Sequence, residues 1–282
     1  MKGSPVHITD MAGGINLRDQ PYKLAPNECR DAQNIVFGSR GAFSKRRGSV
    51  QLTDAGLDVT PVSLHYFRTD AGVDWLISSG STILQKSTSA GVTTDIKTAL
   101  TSGLKWQFIN IVVTGAQGPL WGMNGTDTPQ QWDGAAATTS DWTAAAGTVP
   151  NGKYCLVYQN YVYVAGVAAN PSRFYFSNLG DPRTWTATDY VDVHPMGGHV
   201  ITGMAQYQDL VILTKNRSTY AIFNACTGAN RLIESSVGSP SPRSLVSTNK
   251  GVVFFGHDNI YITDGVRVRP ITTHIQSYFR DS

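Results

Sequence analysis

The sequence contains very little glutamate, which occurs only as Glu28 and Glu234 among 282 residues. Charged residues make up 15% of the chain, against about 25% in an average globular protein. Glutamate and lysine fill the exposed faces of helices because they form helices well, so this scarcity argues against a helical protein. Valine, isoleucine, threonine and aromatic residues, interrupted by glycine, asparagine and aspartate, favour short strands and turns. The composition therefore predicts an all-β protein.

The sequence also lacks paired cysteines and long apolar runs. Cys29, Cys155 and Cys226 are scattered and form no CxxC motif, so neither a zinc site nor a disulfide framework is expected. We interpret them as reduced thiols of a chain assembled in a cytosol-like compartment. The start of the chain does not have the pattern of a signal peptide, and we expect no membrane span. The net charge of +3 is too small to require a nucleic-acid partner.

From about residue 60 onward, five similar units follow one another. Each has an apolar strand, a polar tight turn and a second strand rich in aromatic or β-branched residues, which is typical of a hairpin. A further apolar segment lies just upstream of most hairpins. The first hairpin strands recur roughly every 42 to 49 residues, and they centre near Trp75, Leu120, Val162, Val211 and Val253. This period matches that of β-propeller blades, which have four strands and about 40 to 50 residues.

We therefore predict a β-propeller of about five four-stranded blades over residues 50–271. Packing small sheets around a ring buries both faces of each sheet and leaves only short edges exposed. A sandwich with long loops is the alternative fold. Residues 1–49 are predicted to form an N-terminal docking arm, and residues 272–282 a short amphipathic C-terminal helix. The low-complexity residues 134–151 are expected to be a surface loop between blades.

The sequence carries no catalytic motif. The segment Ser177–Trp185 resembles the Asp-box of sialidase propellers, but Leu179 stands where the aspartate belongs. The nearest histidine pair, His194 and His199, lies in a glycine-rich turn without an obvious third metal ligand. Aromatic residues in the second strands are expected to be core residues, with a sugar-binding row as the alternative. We expect no enzymatic activity, no cofactor and no metal.

A basic cluster closes the first fifty residues, and it consists of Arg40, Lys45, Arg46 and Arg47. Such a cluster could make sequence-independent phosphate contacts with nucleic acid in a channel. It could also be a solvated loop or contact an acidic neighbouring subunit, and we favour these two interpretations over a contact with nucleic acid.

Two stretches resemble structural proteins of tailed-bacteriophage virions. The first is the opening arm, where the pattern is carried by Gly13, Gly14, Asn16, Pro21, Leu24, Glu28, Ala32, Asn34, Gly41, Arg47 and Gly48. The second runs from Tyr175 to Trp185 and continues through Val200–Phe223, Gly238–Val246 and Gly251–Gly265. Together these stretches cover most of the chain.

The resemblance implies a β-propeller virion component of the kind found in tail nozzles, hubs and head–tail connector rings. Such a protein forms a homo-oligomeric ring around the DNA path, meets other tail or portal and adaptor proteins, and is assembled in the host cytoplasm. The docking arm is assigned to Gly13, Gly14, Asn16, Pro21, Leu24, Glu28 and Asn34. Non-specific contact with genomic DNA through the basic cluster is a minor option. The alternative function is a receptor- or carbohydrate-binding propeller at the tail tip.

Within the arm, residues 24–34 are predicted to be a turn that runs into a short helix, with Asn27 as its N-cap. The apolar residues Ile35–Phe37 are predicted to add a strand to the propeller edge. The basic residues Lys45 to Arg47 would then lead into the first blade.

Overall fold

The structure is a computed structural model of the chain. It describes residue 10 and residues 13–37, 42–49, 60–88, 90–113, 116–194, 199–223 and 229–276. The described residues are almost entirely strands and turns, which confirms the all-β prediction. None of their helical segments is long and apolar enough to cross a bilayer.

Twenty strands of the described residues form five four-stranded antiparallel sheets, each contiguous in the chain. Sheet 1 contains β5 (Ser63–Arg68), β6 (Asp74–Gly80), β7 (Ile83–Ser87) and β8 (Thr93–Lys97). Sheet 2 contains β9 (Gln107–Val113), β10 (Ala116–Met123), β11 (Gln130–Trp132) and β12 (Ser140–Asp141). Sheet 3 contains β13 (Tyr154–Tyr158), β14 (Tyr161–Ala165), β15 (Arg173–Phe176) and β16 (Tyr190–Asp192). Sheet 4 contains β17 (Ile201–Tyr207), β18 (Leu210–Lys215), β19 (Thr219–Phe223) and β20 (Asn230–Glu234). Sheet 5 contains β21 (Val246–Thr248), β22 (Gly251–Phe255), β23 (Ile260–Thr263) and β24 (Val268–Pro270).

The hairpins predicted from the repeats are the second and third strands of these sheets. The apolar segments upstream of them are the first strands, so three strands of every unit are where the sequence pattern places them. Tight turns join them. In sheet 3, for example, Gln159 and Asn160 connect Tyr158 to Tyr161 with φ values of +48° and +61°, as a type I′ turn requires.

The first strands β5, β9, β13, β17 and β21 lie side by side in chain order. Side chains also link them: the Gln107 Nε2 group donates a hydrogen bond to the Cys155 carbonyl over 2.8 Å. The last sheet reaches the first through Arg243, whose guanidinium donates to the Val62 carbonyl and the Ser63 hydroxyl. No sheet of the described residues closes on itself.

Apolar side chains fill the spaces between consecutive sheets. Phe67 and Ile77 of sheet 1 pack with Leu120 and Trp132 of sheet 2, and similar clusters join sheets 2 and 3, 3 and 4, and 4 and 5. Burial of each large apolar side chain contributes about 1.5 to 3 kcal/mol. Because these clusters lie between consecutive sheets, the core is distributed over four spaces between sheets.

Residues 134–151 are more than the surface loop that the sequence predicts. They include the edge strand β12, and Trp142 is 2% exposed. Its ring centroid lies 4.6 Å from that of Trp121 and 6.2 Å from that of Trp185. Trp142 thus belongs to the core between sheets 2 and 3, because burying this ring outweighs the polar character of the segment around it.

At the C-terminal end, the described residues contain one 3-10 turn, Thr273–Ile275, where the sequence predicts an amphipathic helix over residues 272–282. Tyr278 and Phe279, two of the three residues that suggested this helix, lie outside the described residues.

Candidate functional site: the N-terminal arm

The first half of the arm folds on itself around two short parallel strands. β1 (Gly14–Ile15) pairs with β2 (Glu28–Cys29), and the Asn16 backbone N–H donates to the Cys29 carbonyl over 2.9 Å. A 3-10 turn over Pro21–Lys23 lies in the connection. The short helix predicted over residues 24–34 is therefore wrong, since Glu28 and Cys29 are extended and paired with a strand that precedes them by fourteen residues.

Asn16 is the polar centre of this fold and is only 2% exposed. Its Nδ2 group donates to the Asp19 and Glu28 carboxylates, each over 2.9 Å. Its Oδ1 atom accepts from the backbone N–H groups of Arg18 and Asp19 over 3.0 and 3.2 Å. All these polar groups are satisfied, as burial requires. Glu28 also accepts a hydrogen bond from the Ala25 N–H over 3.1 Å, so its carboxylate connects Asn16, which follows β1, to the segment that precedes β2.

Gly13 and Gly14 are required by the geometry of the motif. A Cβ atom at Gly13 would lie 2.4 Å from the Glu28 Cγ atom and 2.8 Å from the Asn27 carbonyl oxygen. Gly14 has a φ of +64°, a left-handed conformation that glycine adopts without strain. The paired glycines thus allow β1 to approach β2 closely.

The motif is attached to the other end of the chain. The Leu17 N–H donates a hydrogen bond to the His274 carbonyl over 3.0 Å. His274 lies in the 3-10 turn that follows sheet 5. The arm is therefore placed beside the last sheet.

The second half of the arm is a separate two-stranded hairpin. Among the described strands, β3 (Ile35–Phe37) pairs with β4 (Phe43–Lys45) alone, so the prediction that Ile35–Phe37 adds a strand to a propeller edge is wrong. Asn34, with a φ of +57°, begins the hairpin, and its carbonyl accepts a hydrogen bond from the Arg46 N–H over 2.8 Å. We call residues 34–37 and 42–47 the basic hairpin.

The basic hairpin exposes both apolar and cationic side chains. Val36 is 52% exposed and Phe43 is 61% exposed. Lys45, Arg46 and Arg47 are all exposed, and within the described residues none of them forms an ion pair. A lone two-stranded hairpin has marginal stability in water. Val36 pairs with Ser44 and Phe43 pairs with Phe37, so each of the two faces of this hairpin exposes one of these apolar side chains.

The structure thus divides the predicted arm residues into two groups. Gly13, Gly14, Asn16 and Glu28 meet in the folded motif. Asn34, Lys45, Arg46 and Arg47 belong to the basic hairpin, whereas Arg40 lies outside the described residues. Pro21 is the first residue of the 3-10 turn and Leu24 follows its last residue, so these two connect the strands of the motif.

The histidine and cysteine residues that the sequence offers as candidate metal ligands or nucleophiles make structural contacts. The backbone carbonyls of His194 and His199 accept hydrogen bonds from Lys215 and Ser172, and the described residues contain no group of three or more metal-ligating side chains. Burial raises the pKa of the Cys155 thiol well above its ordinary value, which keeps it protonated and unreactive.

The sequence analysis missed a second basic group, formed by Lys105, Lys153 and Arg243. All three line a cavity at the beginning of the first strands. Their positions in the repeats could have indicated this group, because each of the three residues lies one to three positions before the first strand of a repeat unit.

No family model matches the sequence, and no curated protein sequence matches it. Solved structures are similar in fold. BBS1N, in crystals of its complex with ARL6DN soaked with lead, is 10% identical with a TM-score of 0.55, over 84% of this chain and 78% of BBS1N. Crystals of that complex soaked with mercury give 12% identity and a TM-score of 0.52, over 77% and 71% of the two chains.

PorZ, a bacterial surface component of the type-IX secretion system of Porphyromonas gingivalis, is 16% identical with a TM-score of 0.47. The match covers 77% of this chain and 28% of PorZ, so this chain spans less than a third of that protein. At such identities the likeness to BBS1N shows the fold alone: an all-β, propeller-like arrangement of small sheets.

Proposed function

We propose that this protein is a structural subunit of a tailed-phage virion. Its five sheets act as the blades of a five-bladed propeller, and its copies form a homo-oligomeric ring around the DNA path in the tail or head–tail region. The role is mechanical, with no bond made or broken. Subunits in a ring meet through two different surfaces, so each needs a protruding element and a surface that receives it.

The observation that carries the proposal is the basic hairpin. It exposes Val36 and Phe43 to solvent, and within the described residues neither of its strands pairs with a strand of the five sheets. A two-stranded element of this kind gains stability when another surface covers its apolar side chains. A neighbouring subunit in a ring supplies such a surface, as would a portal or adaptor protein of the virion. The resemblance of the arm to phage structural proteins supports the same assignment.

Three features support a five-bladed propeller. The first strands lie next to one another in chain order. Apolar clusters fill the spaces between consecutive sheets. Arg243 then connects the approach to sheet 5 with the start of sheet 1. Together they match blades that follow one another around an axis.

Assembly of the purified full-length protein tests the proposal. We expect native mass spectrometry and negative-stain electron microscopy to show a closed ring. The Val36→Asp/Phe43→Asp double variant is expected to remain monomeric, because residues 36 and 43 lie on opposite faces of the hairpin and a subunit that covers either face would have to bury a carboxylate. Val266→Asp is the matched control: Val266 is 69% exposed in the β23–β24 turn, so this variant should assemble normally.

A wild-type protein that stays monomeric at high concentration and binds glycans on an array would overturn the ring proposal. Glycan binding would require a row of exposed aromatic rings. Within the described residues, the aromatic side chains that are more than a third exposed come from separate elements: Tyr22, Phe43, Tyr66 and Phe223. Among the described residues, no single strand therefore presents a row of exposed aromatic rings.

Contact between the basic hairpin and genomic DNA is a secondary part of the proposal. Exposed lysine and arginine side chains bind phosphates without sequence preference and lose affinity steeply with salt. Replacing Lys45, Arg46 and Arg47 by glutamine should therefore weaken retention on duplex DNA at low salt. Equal retention of this variant and the wild type would contradict a DNA contact and leave the hairpin as a protein-binding element.

A further inference from the structure

A cavity of about 600 Å³ opens where the beginnings of several first strands meet. Its walls come from β5, from the residues around the beginnings of β9 and β13, and from the 3-10 turn Pro242–Ser244 that precedes β21. Binding pockets for small molecules usually measure about 300 to 1,000 Å³. The cavity is therefore large enough for a compact organic ligand.

The charge of this cavity has one sign. Lys105, Lys153 and Arg243 line it, and the described residues of its lining include no aspartate or glutamate. None of the three cations forms an ion pair within the described part of the chain. All three residues are solvent-exposed, and cations that line a cleft raise the local concentration of anions. The cavity therefore attracts anions.

One carboxylate contacts the lining from outside. Asp127 accepts a hydrogen bond from the Asn124 Nδ2 group over 2.7 Å. The same carboxylate accepts from the backbone N–H and the hydroxyl of Thr101, the latter over 2.7 Å. Asp127 is thus occupied by neutral donors and forms no ion pair with the lysines of the cavity.

Arg243 is held in place by neutral partners. Its guanidinium donates to the Val62 carbonyl and to the Ser63 hydroxyl. That hydroxyl also accepts from the Trp106 N–H over 2.9 Å, so the arginine is connected to two sheets. A guanidinium has five N–H donors, and neutral acceptors leave its charge uncompensated. It can therefore bind an anion without first breaking an ion pair.

The remaining walls are apolar or can donate hydrogen bonds. The rings of Trp106 and Phe108 are stacked, with centroids 6.1 Å apart and planes 18° apart. Burial raises the pKa of the half-buried Tyr154, so its phenol keeps the proton that it can donate. Burial lowers the pKa of His65, which favours its neutral form. The cavity therefore offers cations and a phenol beside an aromatic wall, in which Trp106 is 4% exposed and Phe108 is 9% exposed.

We propose that this cavity binds a small organic anion, in which a phosphate or carboxylate group is joined to an aromatic or apolar ring. Lys105, Lys153 and Arg243 bind the anionic group, and the Trp106–Phe108 wall contacts the ring. The site is separate from the basic hairpin and does not depend on assembly into a ring.

The test uses 1-naphthyl phosphate as the probe and the full-length protein. Binding is followed by quenching of tryptophan fluorescence, to which Trp106 contributes, and by isothermal titration calorimetry. We expect saturable binding with one site per chain. Lys105→Met/Lys153→Met should lower the affinity at least about tenfold, since charge-assisted hydrogen bonds are lost while the aliphatic stems are kept. The matched control is Lys250→Met, at an exposed turn of sheet 5 outside the cavity.

Three further measurements separate the contribution of the anionic group from that of the ring. 1-Naphthol, which lacks the phosphate, should bind much more weakly, and about 1 M salt should reduce the affinity for 1-naphthyl phosphate by screening. Inorganic phosphate should compete with the probe. The proposal is overturned if no saturable binding occurs, if 1-naphthol binds as tightly as its phosphate, or if the Lys105→Met/Lys153→Met variant binds like Lys250→Met. A circular dichroism melt confirms that each variant is folded.

Discussion

Replacing Trp142 by alanine should destabilise the protein by about 4 kcal/mol, because tryptophan-to-alanine changes in a core cost about 3 to 5 kcal/mol. Trp142 is 2% exposed and contacts the rings of Trp121 and Trp185. Its Nε1 group also donates to the Pro182 carbonyl over 3.0 Å. That carbonyl accepts a second bond from the Trp185 Nε1 group, also over 3.0 Å, so the variant leaves no unpaired acceptor. The loss is therefore mainly apolar contact.

Two further variants test the origin of this loss of stability. One keeps an aromatic ring at position 142, and the other is a control at an exposed position nearby. Trp142→Phe keeps a ring in the space and loses the N–H, and it should cost about 1 to 2 kcal/mol, close to one hydrogen bond and a partial cavity. Leu179→Ala, at a position that is 63% exposed in the same region, should change stability by less than about 0.5 kcal/mol.

Urea denaturation, followed by both circular dichroism and tryptophan fluorescence, measures these differences. A loss of about 4 kcal/mol corresponds to about a thousandfold change in the folding equilibrium and a fall in the melting temperature of about 10 °C. The reasoning is refuted if Trp142→Ala is as stable as Leu179→Ala. Residues 134–151 would then be the surface loop that their composition predicts.

Two further predictions concern the arm and a buried lysine. Gly13→Ala would place its Cβ atom 2.4 Å from the Glu28 Cγ atom, so amide exchange in residues 13–29 should accelerate while the main melting transition stays unchanged. Lys215 is 1% exposed and donates to the carbonyls of Val193 and His194. Burial lowers its pKa below the ordinary 10.5, so just below that pH the unfolded chain binds more protons and stability rises with pH. The urea midpoint of the wild type should therefore increase relative to Lys215→Met as the pH approaches 10.5 from below.

Much of the fold follows from local sequence patterns. The second and third strands combine β-branched and aromatic residues with turn residues at hairpin spacing, and the first strands are apolar segments at a fixed distance upstream. The fourth strands carry no such signal. Ser140–Asp141 and Asn230–Glu234 are short or polar because they lie at sheet edges, where apolar residues would promote aggregation. Composition cannot distinguish such strands from loops.

The arm shows why its local structure could not be read from neighbouring residues. The Asn27–Glu28 pair suggests the start of a helix, but the Glu28 carboxylate is used by Asn16, twelve residues earlier. The resulting parallel pairing depends on contacts between distant residues and on space that two glycines provide. Local sequence patterns therefore do not show what each residue of the arm contacts, because these contacts are set by the fold.

The junctions between the sheets differ in the interactions that fill them. Four junctions between consecutive sheets are filled by apolar clusters. Between sheets 5 and 1, the hydrogen bonds of the described residues come from the side chain of Arg243. A hydrogen bond contributes about 0.5 to 1.5 kcal/mol net, or about 1.5 to 3 kcal/mol with a charged group, whereas several buried apolar side chains contribute more. Arg243 thus crosses this junction through hydrogen bonds to neutral groups, and it lines the cavity. The proposed ligand would contact both this junction, through Arg243, and the apolar junction of sheets 1 and 2, through Trp106 and Phe108, whereas the strands of the basic hairpin pair with none of the five sheets in the described part of the chain.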